Sequence, residues 1–354
     1  VRRKPERGGF EGVALPGLVS SQDTIKTNCY VKALRKKGLI LEKSHHFVKF
    51  RRLVAFPPTP QAALFSFRTG FGEVLPVSEH PTGPDALPTP THPTTRRMNN
   101  AMRILFVSGE VAPFTQEYET AHLVRTLPER LFETGEYETR IMMPRYGIVS
   151  ERRNRLHEVI RLSGAKIPMG NEEHTLDVKV ASIPGIRLQV YFMDNNHYFK
   201  RKGIFEDKTG KLFPDNLDRA LFFGRCAITT IRNLGWTPHI VHAFGWMSSF
   251  VPMLLRRAYV HDTQLQDTRI VYTPEQVPFQ ATCSAAFAHT MGLPQDETVI
   301  DQDPAAIGSA YADAVIFPPS IEPPFGAPQF GASPEDLLLQ LTTVYEQVMS
   351  MVPA

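Results

Sequence analysis

An α/β fold built on a mainly parallel sheet is predicted from three observations. Short apolar runs such as Met102–Ser108 and Ala314–Phe317 lack polar alternation, as strands buried on both faces require. Longer stretches between such runs carry apolar residues at three- and four-residue spacings, the mark of helices with one buried face. Glycine and proline punctuate the junctions. Strands that alternate with helices read as β-α-β units.

Met102–Ser108 opens this series and runs into Gly109-Glu-Val-Ala-Pro-Phe114. In a parallel sheet the loop after the first strand faces the ligand crevice, so residues 108–119 are expected to form its floor. Tyr118–Glu133 reads as a helix on Ala121, Val124, Leu127, Leu131 and Phe132, with Pro128 expected to kink or break it and Gly135 to stop it. Thr139–Met143 is the second strand and completes a right-handed crossover. Leu156–Leu162, Leu176–Ile183 and Leu188–Phe192 are short and partly alternating, punctuated by Gly164, Gly170 and Pro184-Gly185. They predict antiparallel strands, inserted into the sheet or extending its edge.

Asp215 or Asn216 should cap a helix that reaches about Asn233 and ends at Gly235. His239–Ala243 is the next strand, and a helix follows Gly245-Trp246 through Tyr259. Arg269–Thr273 is a further strand, Ala310–Asp313 closes a turn or helix end, and Ala314–Phe317 is the last strand. Prolines 318, 319, 323, 324 and 328 then predict a linker to an amphipathic helix over Glu335–Met349. The expected organisation is an extension over 1–97, one α/β domain over 98–317, and a linker with a terminal helix over 318–354.

The net charge of +3 conceals an uneven distribution. Residues 1–97 carry 16 Lys and Arg against 7 Asp and Glu, whereas the remainder carries 23 against 29. The first segment is also proline-rich from Pro57 onward, so it is expected to be disordered or not translated, with initiation at Met98 or Met102. A basic arm for nucleic acid is the weaker reading, and no nucleic-acid partner is expected. Cys29, Cys226 and Cys283 are odd in number and widely spaced, which fits neither a disulfide framework nor a zinc site; a cytoplasmic location is expected. No run approaches the roughly 20 apolar residues of a membrane span, so no membrane partner is expected.

Several chemistries are excluded by motif. A dinucleotide turn needs GxGxxG, and here the first turn offers only Gly109 before Glu110 and Pro113. Walker A, GxSxG and HExxH are absent from the sequence, and no metal site is expected. His239 and His242 would point to opposite faces of one strand, so they cannot share a metal. His239 reads as structural. His242 is a candidate ligand residue because it lies near the carboxyl end of an interior strand, and Trp246 follows at the next helix start. Tyr198–Lys202 is a small basic run that could hold phosphates or a glucan edge, though a solvated loop is the stronger reading.

Taken in order, these segments resemble the N-terminal half of bacterial glycogen and starch synthases. The resemblance rests on Ser108-Gly-Glu110-Val-Ala-Pro113, on the helix with Leu127-Pro128, and on Met143-Pro-Arg-Tyr-Gly147. It rests further on Asp215-Asn216 with Arg219, on Pro238-His-Ile-Val-His242 with Gly245-Trp246, and on Tyr311-Ala-Asp313. It covers about residues 102–317.

The resemblance implies a Rossmann-like domain, the N-terminal half of a two-domain, GT-B type glycosyltransferase, with a β-rich insertion. It also implies transfer of glucose from a nucleotide-sugar donor, ADP-glucose, to an α-1,4-glucan without a cofactor or obligatory metal. Glu110, Asp215, Arg219, His242, Trp246 and Asp313 are the substrate-binding residues it implies; no catalytic residue is assigned. The family's Lys-x-Gly-Gly in the first loop is here Gln116-Glu117-Tyr118-Glu119, and Met247 stands where the family has a sugar-contacting histidine. No second set of β-α-β units follows residue 317. The expected function is therefore a glycosyltransferase of this type that lacks donor-site residues and the second domain. The alternatives are a non-catalytic glucan-binding or regulatory relative, or half of a split enzyme completed by a partner chain.

Overall fold

The computed structural model describes residues 101–186, 188–277 and 279–351. The extension expected over 1–97 lies outside them.

Five parallel pairings join six strands in the order β6-β2-β1-β7-β8-β9. These are β1 (Met102–Ser108), β2 (Tyr137–Pro144), β6 (Gln189–Asp194), β7 (Ile240–Phe244), β8 (Arg269–Thr273) and β9 (Ala314–Val315). The apolar runs follow from this position: Ile104 to Val107 and Ile240 to Val241 are 0% exposed because helices cover both faces of the central strands. At the β6 edge the sheet turns antiparallel. There β5 (Glu172–Ser182) pairs with β6, with β3 (His157–Glu158) and with β4 (Ala165–Met169). The edge extension falls where expected: β5 covers Leu176–Ser182 and β6 covers Gln189–Phe192 of the expected strands, and the two pair antiparallel, but the first expected strand differs. Only His157–Glu158 is strand within 156–162, where Ile160–Leu162 forms a 3₁₀ turn instead, and β4 was not foreseen.

The helices are α1 (Glu119–Thr134), the one-turn α2 (Glu151–Asn154), α3 (Asn216–Leu234), α4 (Phe250–Arg257), α5 (Ala285–Thr290), α6 (Pro304–Tyr311) and α7 (Pro334–Ser350). Helix α1 runs through Pro128 without a break and ends at Gly135, whose φ of 73° is left-handed. Right-handed crossovers from β1 to β2 and from β6 to β7 travel in opposite directions along the sheet, which places α1 and α3 on opposite faces. Helix α7 packs beside α1 and against β8, while α3, α4 and α6 pack together. Between Phe317 and Phe330 the proline-rich stretch is a pinned loop. Phe317 N–H donates to Pro328 O, Phe330 N–H returns to Phe317 O, and Gln329 Nε2 donates to Ile321 O at 3.0 Å. Among the described residues no helix is long and apolar enough to cross a membrane.

Candidate functional site

The chain leaves β1 toward β2 and β6, then returns to place β7 on the other side of β1. That reversal opens a crevice at the carboxyl ends of the strands, the place where open α/β sheets bind ligands. A cleft of about 590 Å³ lies there. Its walls are Glu117 to Thr120 from the β1–α1 connection, Glu275 to Gln280 after β8 (Pro278 apart), and Pro318 with Ser320 after β9. Among the described residues that line it there is no lysine or arginine.

The turn after β1 folds back on itself. Ser108 Oγ donates to Glu110 O at 2.7 Å and accepts from Glu110 N–H at 3.1 Å. Gly109 is required by contact, since a Cβ there would stand 2.8 Å from Met247 Cβ. Glu110 is only 3% exposed, and its Oε2 accepts the Glu117 N–H at 2.9 Å. Its Oε1 is buried with no hydrogen-bond partner among the described residues. Burial pushes the Glu110 pKa up to about 7, opposed by the Glu117 N–H hydrogen bond and aided by the charge of Glu117.

A second carboxyl reaches the same segment from β8. Glu275 accepts a hydrogen bond from Thr120 Oγ1, in the first turn of α1, and another from the Trp246 backbone N–H. The space it occupies exists because residue 245 is glycine. Gly245 has φ 74°, and a Cβ there would lie 2.5 Å from Glu275 Oε2. Burial pushes the Glu275 pKa up to about 8; the Glu110 and Glu119 charges raise it too, against the Thr120 and Trp246 hydrogen bonds. Between the two carboxyls stands Tyr118. Its phenol is held well above the ordinary range by burial and then by the charges of Glu275, Glu110, Glu117 and Glu206, so it stays a hydrogen-bond donor. Behind it the cleft is apolar: Phe279 stacks on Phe205 at 5.4 Å and meets Trp246 edge-on at 5.2 Å.

The residues expected to bind substrate are not all brought together. Glu110 lies beneath the cleft, and Trp246, 3% exposed, backs its Phe279 wall. His242 is fully buried, with Nδ1 2.9 Å from Tyr345 OH on α7 and Nε2 2.9 Å from Thr273 Oγ1. Burial holds its pKa well below the ordinary value, so the ring is neutral. Asp215 occupies the N-cap position of α3 but spends its side chain on Arg201, in two hydrogen bonds of 2.6 Å. Arg219 is fully buried and donates to Tyr198 O, Ile204 O and Asn216 Oδ1, which fastens the 198–205 loop onto α3. Asp313 lies at the opposite, amino-terminal edge of the sheet, where it pairs with Arg256 and accepts the Ile270 N–H at 2.7 Å. His239 lies at that edge too and accepts the Arg103 N–H at 2.9 Å.

Glu275, Thr120 and Phe279 were not singled out from the sequence. The signal for Glu275 was available: it follows the end of β8 just as Glu110 follows β1, and the crevice rule applies to both strands. Among the described residues no group of three or more His, Cys, Asp or Glu is placed to hold a metal ion.

The family model described as "Starch synthase catalytic domain" matches residues 103–317. The chain is 37% identical to a glycogen synthase of Chlorobium limicola over 176 residues, which are 49% of this chain and 36% of that protein. It is 40% identical to a glycogen synthase of Chlorobium luteolum over 158 residues, 44% of this chain and 32% of that one. The chain thus spans about a third of the length of the curated relatives it matches. Among solved structures, the catalytic domain of starch synthase IV from Arabidopsis thaliana, bound to ADP and acarbose, superposes with a TM-score of 0.52 at 21% identity. That match covers 61% of this chain and 44% of the other, and it shows a shared fold.

Proposed function

From the premise that this chain belongs to the starch synthase catalytic domain family of glycosyltransferases, we propose that it binds an α-glucan in the crevice and does not by itself transfer glucose from ADP-glucose. The observation that carries this reading is the chemistry of the cleft: acids, a phenol and an aromatic face line it, and among the described residues no cation does. A nucleotide diphosphate is multiply negative, and placing it beside the ionised Glu117 and Glu119, with a neutral Glu275 and no compensating cation among the described lining residues, is electrostatically unfavourable. A neutral glucan loses nothing to that field. Its hydroxyls can donate to the carboxyl oxygens and accept from Tyr118, and its ring faces can lie on Phe279. The acarbose and ADP held by the starch synthase IV domain are a carbohydrate-like and a nucleotide ligand, and the cleft described here suits the former.

Transition-state charge stabilisation is usually the largest catalytic term in such a transfer, and the described residues of this cleft offer no positive group to supply it. A second reading is that a partner chain supplies the donor half, bringing the cations that the described lining of the cleft lacks. Purified protein, ADP-[¹⁴C]glucose and glycogen separate the readings. Glycogen should co-sediment with the protein while no label enters the polymer. Incorporation by the chain alone would overturn the proposal, and incorporation only after a partner is added would establish the second reading.

A further inference from the structure

Two carboxyl groups from different strands hold one short segment. Glu110, just past β1, accepts the Glu117 amide, and Glu275, just past β8, accepts the Thr120 hydroxyl. The residues between these anchor points, Glu117 to Thr120, are one wall of the cleft. Each anchor is incompletely satisfied or tightly enclosed: Glu110 Oε1 is buried without a partner, and Glu275 is wedged against Gly245. We propose that Glu110 and Glu275 form a two-point carboxyl clamp that closes the 117–120 wall over the cleft while both are neutral and loosens it when they ionise.

This inference rests on the reading of the crevice as a glucan site and adds its regulation. The physical driver is local. The groups that face the pair are Glu117, Tyr118 and Glu119 from the wall itself, Glu206 beyond Tyr118, and Tyr146 after β2, with Arg219 of α3 behind Tyr146. No lysine or arginine among the described residues makes a salt bridge or hydrogen bond to either carboxyl. Ionising both would therefore place two like charges, one of them buried, next to two further acids, with the Glu117 amide, the Thr120 hydroxyl and the Trp246 N–H to offset them. The less costly response is to release the wall, which frays the first turn of α1 at Glu119 and Thr120 and lifts Tyr118 off Phe205. Glu119 Oε2 accepts the Ser320 N–H at 3.3 Å, and Ala121 N–H bonds back to Tyr118 O. The directions agree, since burial raises the pKa of both acids into the range where ordinary buffers titrate them.

The test is hydrogen–deuterium exchange of the full chain at pH 6.0 and 9.0, corrected for the intrinsic rate, beside glycogen co-sedimentation at the same two pH values. Amides of 115–121 should exchange at least tenfold faster at pH 9.0, and glycogen affinity should fall in step. In Glu110→Gln/Glu275→Gln both ratios should collapse toward one, because a neutral amide keeps the clamp closed. Thr120→Val cuts one anchor and should raise exchange at pH 6.0. The same pH dependence in the double glutamine variant, or protection of 115–121 that does not change with pH, would overturn the clamp. Absence of glycogen binding at both pH values, with the exchange pattern as expected, would overturn the glucan reading and leave the clamp standing.

Discussion

Removing one oxygen from α7 should measure how strongly that helix is tied to the sheet. Tyr345 is fully buried, and its hydroxyl lies 2.9 Å from His242 Nδ1, while Thr273 Oγ1 lies 2.9 Å from Nε2. A neutral imidazole has one donor and one acceptor nitrogen, and here each meets a hydroxyl that can take the complementary role. Tyr345→Phe keeps the ring packing but leaves one buried imidazole nitrogen unpaired, with a cost of about 1–3 kcal/mol. Thr273→Val should cost a similar amount from the other side. The double variant should not reach the sum of the two, because both single changes act on one histidine.

The assay is urea unfolding at pH 7.5, followed by circular dichroism, with the midpoint and slope fitted separately. For a folded unit near 250 residues, each kcal/mol also lowers Tm by about 2–4 °C. The slope should stay constant, since no new surface is exposed. A Tyr345→Phe midpoint within about 0.5 kcal/mol of the unaltered protein would refute the reasoning, because a change that small is what surface substitutions give. It would mean that α7 docks through its apolar face alone and that the His242 contact contributes nothing net.

Four further outcomes follow from the same geometry. Stability should fall as pH rises from about 4.5 toward 7–8. In the unfolded chain Glu110 and Glu275 lose their protons near the ordinary value, whereas the folded protein holds them until about 7 and about 8. For Glu110 that difference amounts to on the order of 3 kcal/mol, which Glu110→Gln should abolish in urea midpoints measured across that range. Gly308→Ala should cost about 1–3 kcal/mol, read as a lower urea midpoint, because the added Cβ would lie 2.6 Å from the Tyr272 ring. Arg219→Met should destabilise by about 3 kcal/mol or more in the same assay, since it strips donors from two buried carbonyls and from Asn216. Asp215→Asn should cost no more than about 1 kcal/mol by differential scanning calorimetry, because its Arg201 partner is only partly buried.

The parallel half of the sheet was readable because burial on both faces leaves its own mark. Ile104 to Val107 could not be a half-solvated strand, and the helices between such runs carry a clear stripe. Elements whose stability comes from elsewhere were hidden. Leu156–Leu162 has the composition of a strand, yet Ser163 Oγ bonds to Val159 O and accepts the Val178 N–H, and these bonds turn the chain into a 3₁₀ element instead. The prolines at 318–328 read as a linker because composition cannot reveal the Phe317 to Phe330 pinning, which consists of backbone hydrogen bonds. Pro128 is expected to kink or break α1, and no break occurs. The helix continues because Leu123, Val124, Leu127 and Leu131 are buried on both sides of it, and packing of that extent outweighs one lost hydrogen bond.

The site divides along the same line. A strand-end residue such as Glu110 can be found from sequence, because strand order alone carries it to the crevice. What it does there depends on partners distant in sequence. His242 satisfied the positional rule equally well, yet Tyr345, 103 residues away, and Thr273 on the neighbouring strand consume both of its nitrogens in the core. Glu275 carries no motif of its own. It matters because Thr120 comes within hydrogen-bonding range across 155 residues and because Gly245 leaves room for its second oxygen. The chemistry of this crevice is therefore a property of triples of residues, and a search confined to local motifs ranks a buried histidine above the carboxyl that lines the cleft. Residues 116–119, with acids at Glu117 and Glu119, point the same way. In sequence they read only as the loss of a phosphate grip, whereas in the fold Glu117 supplies the amide that Glu110 holds, and the segment becomes the wall of the cleft.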